Sequence, residues 1–169
     1  MTPPIHRPRA SSRELEKVLV GLLSRRRLTL ALAESCTGGF IANQITNVPG
    51  ASKIFLGGVV AYSNGVKQKF LGVRFKTLLK HGAVSEAVAR EMAEGARKKF
   101  SADFAIAVTG IAGPGGGTKS KPAGTVFIAL AAEGETVVER KLNSFGRKKF
   151  KQTTANQALN MLHLRLMRT

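Results

Sequence analysis

Leu28-Thr29-Leu30-Ala31-Leu32-Ala33 runs without a break into Glu34-Ser35-Cys36-Thr37-Gly38-Gly39, and a helix-compatible segment continues from there to about Thr46. A short apolar run of strand length followed by small hydroxyl residues and paired glycines predicts a strand, a tight loop and a helix N-terminus. The same pattern returns downstream. Ile54 to Tyr62 carries enough Val, Ile and Phe for a buried strand despite Gly57 and Gly58, and Ser63-Asn64 then opens a short helix containing Lys67. Asp103 to Thr109 is a third strand, leading into Gly110-Ile111-Ala112-Gly113-Pro114-Gly115-Gly116-Gly117, which cannot be regular structure.

Helices fill the rest. Ser11-Ser12-Arg13-Glu14 reads as a capping box, and Leu15, Val18, Leu19, Leu22 and Leu23 behind it recur with helical period to about Arg25. Val48-Pro49-Gly50 is turn chemistry, and His81 precedes Gly82 in an expected loop. Ser85 caps a helix whose Val88, Met92, Ala96 and Phe100 lie near one face, with Arg97 to Lys99 at its negative end. Gly124 to Ala132 and Thr136 to Leu142 form a hairpin across Glu133-Gly134-Glu135, and a last helix buries Ala155, Leu159, Leu162 and Leu166. Early strand–helix alternation and a late hairpin predict a three-layer α/β/α sandwich on a mixed sheet. The expected organisation is one domain over residues 12–169 behind a disordered tail of residues 1–11.

Composition narrows the function classes. A chain of 169 residues that is 43% hydrophobic can bury one core. No apolar run of about 18 residues exists and the N-terminus carries no secretory pattern, so a cytoplasmic protein without a membrane span is expected. Cys36 is the only cysteine, which excludes an intramolecular disulfide and a multi-cysteine metal site. His6, His81 and His163 have no metal-ligand spacing, so no metal is expected. A formal charge of +17 favours anionic partners. The basic residues are scattered, however, and one Tyr with no Trp offers little to stack on bases, so nucleic acid is an alternative partner and not the favoured one.

Three segments converge on strand ends, where open α/β sheets bind ligands. Ser35 or Thr37, between a strand and a helix N-terminus, suits a nucleophile with an oxyanion hole or a phosphate cradle, and equally a plain helix cap. Lys67 could deprotonate a serine only if burial or neighbouring positive charge lowers its pKa, and Tyr62 could face the same site. The glycine-rich loop after Thr109 lacks the ending of a triphosphate P-loop and opens no dinucleotide helix; alone it marks a ligand-contacting or flexible loop.

Together the motifs are more specific. Ala33-Glu34-Ser35-Cys36-Thr37-Gly38-Gly39, Tyr62-Ser63-Asn64 with Lys67, His81-Gly82-Ala83-Val84-Ser85, Gly110-Ile111-Ala112-Gly113-Pro114 and Lys121-Pro122-Ala123-Gly124-Thr125 resemble the CinA C-terminal-domain family, in its order and spacing, over about residues 12–167. The resemblance implies a fold similar to anticodon-binding domains and an amidase that converts nicotinamide mononucleotide and water to nicotinate mononucleotide and ammonia, with no cofactor. It puts the nucleophile on Ser35, the general base on Lys67 and an assisting tyrosine on Tyr62. Substrate contacts are expected from Glu34, Cys36, Thr37, Gly38, Gly39, Thr109, Gly110, Ile111, Ala112, Gly113 and Arg147, with the oxyanion steadied by N–H groups of Cys36 to Gly39. A homodimer is implied, as is the stand-alone form of a domain often preceded by a molybdopterin-binding-like one. One stretch departs: where the family has Ser-Gly-Asp-Arg, this chain has Asn143-Ser144-Phe145-Gly146-Arg147, keeping the arginine and lacking the aspartate, and Lys151 stands where a second arginine is frequent.

Overall fold

Alternation along three strands builds the two halves of the core. In the computed structural model, which describes residues 12–168, β1 (Leu30–Glu34), β3 (Phe104–Gly110) and β4 (Thr125–Ala132) send large side chains to one face and mainly alanines, with Phe127, to the other. Leu30, Leu32, Ile106, Val108, Val126 and Ile128 pack against α1 (Ser12–Arg26), α2 (Phe40–Thr46) and α6 (Arg147–Leu166). Ala31, Ala33, Ala105, Ala107, Ala129 and Ala131 face α5 (Glu86–Phe100) together with its Ala89, Ala93 and Ala96. Small residues on both surfaces let α5 lie close to the sheet. The closeness extends to α3 (Asn64–Leu71), because a Cβ at Gly95 of α5 would stand 1.8 Å from the Leu71 carbonyl oxygen.

The five strands are ordered β2-β1-β3-β4-β5, with β2 (Phe55–Val60) at one edge and β5 (Glu135–Leu142) at the other. β1 pairs parallel with β2 and β3, while β4 pairs antiparallel with β3 and β5. This is the expected mixed sheet between two helical layers. α2 carries the chain from β1 to β2 over one face, and α3, α4 (Phe75–His81) and α5 carry it to β3 over the other. A crevice therefore opens beyond the C-terminal ends of β1 and β3, where the connections part.

Several expectations need correction. The first helix is present, but Val18 is 43% exposed and Glu16 takes a buried place on that helix. β2 is an edge strand with Leu56 and Val60 open to solvent, not a buried one. His81 closes α4, a helix that the sequence did not announce, because its Phe75 and Leu79 are exposed and blur the apolar stripe. The capping box reaches back to Ser11, and the expected tail of residues 1–11 lies outside the described residues. Elsewhere the agreement is close. Ser85 Oγ accepts from the Val88 N–H at 3.3 Å, the hairpin turns on Glu133-Gly134 with Gly134 at φ 72, and Ala155, Leu159, Leu162 and Leu166 are fully buried.

Candidate active site

Strand alternation sorts two neighbouring residues to opposite faces. Glu34 follows Leu30 and Leu32 toward α2, while Ser35 follows Ala31 and Ala33 toward α3. The Glu34 carboxylate is consumed there. It accepts from the Thr37 hydroxyl at 2.6 Å and from the N–H groups of Gly39, Ile41 and Ala42 at 3.1, 3.1 and 2.8 Å. A carboxylate at the positive end of a helix, taking otherwise orphaned donors, is strongly held. It fixes the loop that carries Ser35, and the left-handed backbone at Gly38 (φ 61) and Gly39 (φ 91) lets that loop turn tightly.

Lys67 is placed by the start of α3. Ser63 caps that helix by accepting from the Val66 N–H at 3.2 Å, and a helical side chain points back toward the N-terminus. The Lys67 amine accordingly reaches the carbonyls of Ala61 at 2.8 Å and Tyr62 at 3.4 Å, and lies 3.2 Å from Ser35 Oγ. Lys67 is 2% exposed, and no carboxylate pairs with it among the described residues. Burial lowers its pKa from the usual 10.5, with the neighbouring Cys36 working the other way. A neutral amine has two N–H donors and one lone pair. With the two carbonyls taking the donors, the lone pair is left for the Ser35 hydroxyl.

Cys36 sits beside the pair but is chemically quiet. Burial first, and then the charge of Glu34, push its thiol up to about 12, so the nucleophilic thiolate is absent at neutral pH.

Ser35, Cys36, Tyr62, Lys67, Thr109, Gly110, Ile111, Ala112, Gly113 and Arg147 all line one cavity of about 280 Å³. Glu34, Thr37, Gly38 and Gly39 do not line it; they build the loop behind Ser35. Of the N–H groups expected to steady an oxyanion, Gly38 donates to the Ser35 carbonyl and Gly39 to Glu34. Those of Cys36 and Thr37 turn to the Cys36 sulfur, a weak acceptor, and of these two residues Cys36 lines the cavity.

The far wall is the glycine-rich loop. A Cβ on Gly110 would meet the Thr125 carbonyl oxygen at 2.8 Å, so glycine is required for the approach to β4. Thr109 donates its hydroxyl to the Ala83 carbonyl at 2.8 Å, which draws Ala83 and Val84 into the lining along with Asn64 and Gly115. Those four were not among the expected contacts. Asn64, Ala83 and Val84 fall inside the quoted motifs, which was the available signal.

Tyr62 plays a different part from the one expected. The residue is 62% exposed, its hydroxyl accepts from Arg147 Nη2 at 2.7 Å, and its backbone carbonyl is what reaches Lys67. Arg147, the first residue of α6, also donates through Nη1 to the Gly113 carbonyl at 3.2 Å. The guanidinium thus straps across the cavity mouth with no carboxylate partner among the described residues. Lys151 adds charge nearby, its Nζ standing 3.6 Å from where a Gly38 Cβ would lie. Among the described residues no cluster of His, Cys, Asp and Glu is arranged to hold a metal ion, and no helix is long and apolar enough to cross a membrane.

Known proteins share this fold. A competence/damage inducible protein, CihA, from Agrobacterium tumefaciens superposes with a TM-score of 0.89 at 38% identity, covering 96% of this chain and 99% of that one. A competence-damaged protein (CinA) superfamily protein from Escherichia coli gives 0.87 at 33% identity, covering 94% of each. A CinA-like protein of Anaeromyxobacter sp. is 50% identical over 153 residues, 90% of this chain and 37% of that protein. One of Thermotoga maritima is 57% identical over 117 residues, 69% of this chain and 29% of that protein. The chain thus spans about a third of the length of these curated relatives. Residues 12–166 match the CinA C-terminal domain, and the chain belongs to that family.

Proposed function

We propose that this chain is an amidohydrolase that converts nicotinamide mononucleotide and water to nicotinate mononucleotide and ammonia, with Ser35 as nucleophile and Lys67 as its base. The observation that carries this reading is the Lys67 amine, buried without a carboxylate and 3.2 Å from Ser35 Oγ. A buried, unpaired lysine is costly to keep and is retained where its neutral form does chemistry.

Lys67 takes the hydroxyl proton as Ser35 Oγ attacks the carboxamide carbon. The oxyanion that forms is met by the N–H group of Cys36, which lines the cavity and is fixed before the reaction begins. The proton on Lys67 passes to the departing amine, ammonia leaves, and an ester joins Ser35 to the nicotinoyl group. Lys67 next takes a proton from water, whose attack on the ester releases the acid and restores the hydroxyl. Arg147, unpaired by acid and bridging Tyr62 and Gly113, is the group best suited to the phosphate.

The test is ammonia release from nicotinamide mononucleotide by the parent, Ser35→Ala and Lys67→Ala. Turnover in the parent that collapses in both variants supports the reading. A folded parent without turnover overturns it and favours a binding protein, for which the +17 charge makes salt-sensitive retention on DNA the next measurement. A homodimer in the cytoplasm belongs to the same proposal, and sedimentation reads the first part directly.

A further inference from the structure

A second cavity of about 330 Å³ opens between α1, α2 and α6, outside the site described above. Glu16 of α1 and Gln44 of α2 both line it. Glu16 is 5% exposed, yet its Oε2 accepts from nothing, and the Gln44 Oε1 is likewise buried without a donor. The other end of Gln44 is engaged, its Nε2 donating to Asn156 Oδ1 at 3.3 Å. Two hydrogen-bond acceptors withdrawn from water and left without donors are destabilising, and more so where one belongs to a carboxylate. Phe40 and Val48 supply an apolar wall, and Lys17, exposed on α1, is the other charged group at the cavity among the described residues.

We propose that this cavity is a binding site for a small guanidinium- or ammonium-bearing molecule with a short apolar stem. The ligand would supply the missing donors to Glu16 and Gln44 and lay its stem on Phe40 and Val48. The terminal torsion of a glutamate is broad and nearly two-fold, so either Glu16 oxygen turns to the cavity with little strain. Repulsion from the chain's +17 charge acts at a distance and is screened over about 8 Å at physiological salt, whereas the carboxylate acts at contact. α2 begins directly after the Ser35 loop, and Gln152 at this cavity lies on the helix that starts with Arg147, so the ligand would touch two helices that adjoin the catalytic site.

The probe is n-butylguanidinium, titrated by calorimetry into the full chain beside n-butylurea, its uncharged counterpart. Saturable binding of the cation is expected, with the urea about ten-fold or more weaker, the worth of one charge-assisted hydrogen bond. Glu16→Gln and Gln44→Met should each weaken the cation by a similar factor, and Ser35→Ala should leave it unchanged. Gln44→Met keeps the test open if Glu16→Gln fails to fold. No saturation in the millimolar range, equal binding of cation and urea, or binding lost in Ser35→Ala overturns the proposal.

Discussion

Lys67→Met separates the chemistry of the amine from the space it fills, because methionine keeps an unbranched stem in the same buried slot. If Lys67 is the base, turnover falls by about 10²–10⁴-fold, or about 3–5 kcal/mol of barrier. Stability has two opposed terms. The Ala61 carbonyl loses its 2.8 Å donor, which costs about 1–3 kcal/mol if it stays dry. Against that, the variant no longer desolvates an ammonium, which in the parent costs about 1.4 kcal/mol for each unit by which the pKa is lowered. Between that lowered pKa and 10.5 the unfolded chain holds a proton that the folded chain does not. Parent stability therefore rises with pH across this window and is lost as pH falls through it, reaching a constant penalty below the folded pKa. The Met variant should lack this slope, and the alkaline-rising limb of kcat/KM should be missing with it. The assays are ammonia release and urea unfolding at a series of pH values. Turnover within ten-fold of the parent, or an unfolding slope unchanged by the substitution, would refute the assignment of Lys67 as a buried neutral base.

Arg147→Met should raise KM for the nucleotide by about ten-fold or more with a smaller change in kcat, since a phosphate contact binds ground and transition states alike; steady-state kinetics would show the reverse if the arginine served the chemistry. Cys36, with its thiol pushed up to about 12 and its side chain buried, should resist iodoacetamide at pH 8 in the folded chain and react once it is unfolded; fast labelling of the native protein, read by mass spectrometry, would contradict this. Gly95→Ala forces a Cβ to within 1.8 Å of the Leu71 carbonyl oxygen and should cost about 3 kcal/mol or prevent folding, as read by denaturant unfolding. Glu34→Gln replaces an acceptor of four hydrogen bonds with a group that presents an N–H₂ to donors, and about 2–3 kcal/mol of stability should be lost in the same measurement.

The layered sheet was legible because each strand carries its own alternation and each loop its own turn residues. Ser35 was legible as a residue at a strand end, but Lys67 was not legible as buried. Lysines on a chain with 27 basic residues are ordinarily solvated, and the 32 residues separating Lys67 from Ser35 are closed only by the sheet order. β2 was misjudged because an apolar run does not reveal whether a second neighbour covers it. Tyr62 was legible as facing the site, which it lines, but nothing local says that its phenol would meet an arginine 85 positions away.

Glu34 shows why the order of residues around the nucleophile matters. A carboxylate free beside Lys67 would pair with the amine, favour the ammonium and remove the base. Placing it one residue before Ser35 on a strand sends it to the opposite face, where Thr37 and the first turn of α2 absorb its charge. The same contacts hold the Ser35 loop and commit the Gly39 N–H, while Cys36 stays in the cavity lining. Glu34 thus acts by positioning, without touching substrate. On that account Glu34→Gln should lower kcat while the alkaline limb set by Lys67 stays at its pH. A limb displaced toward lower pH would instead mean that the carboxylate's charge reaches the amine despite the four donors around it.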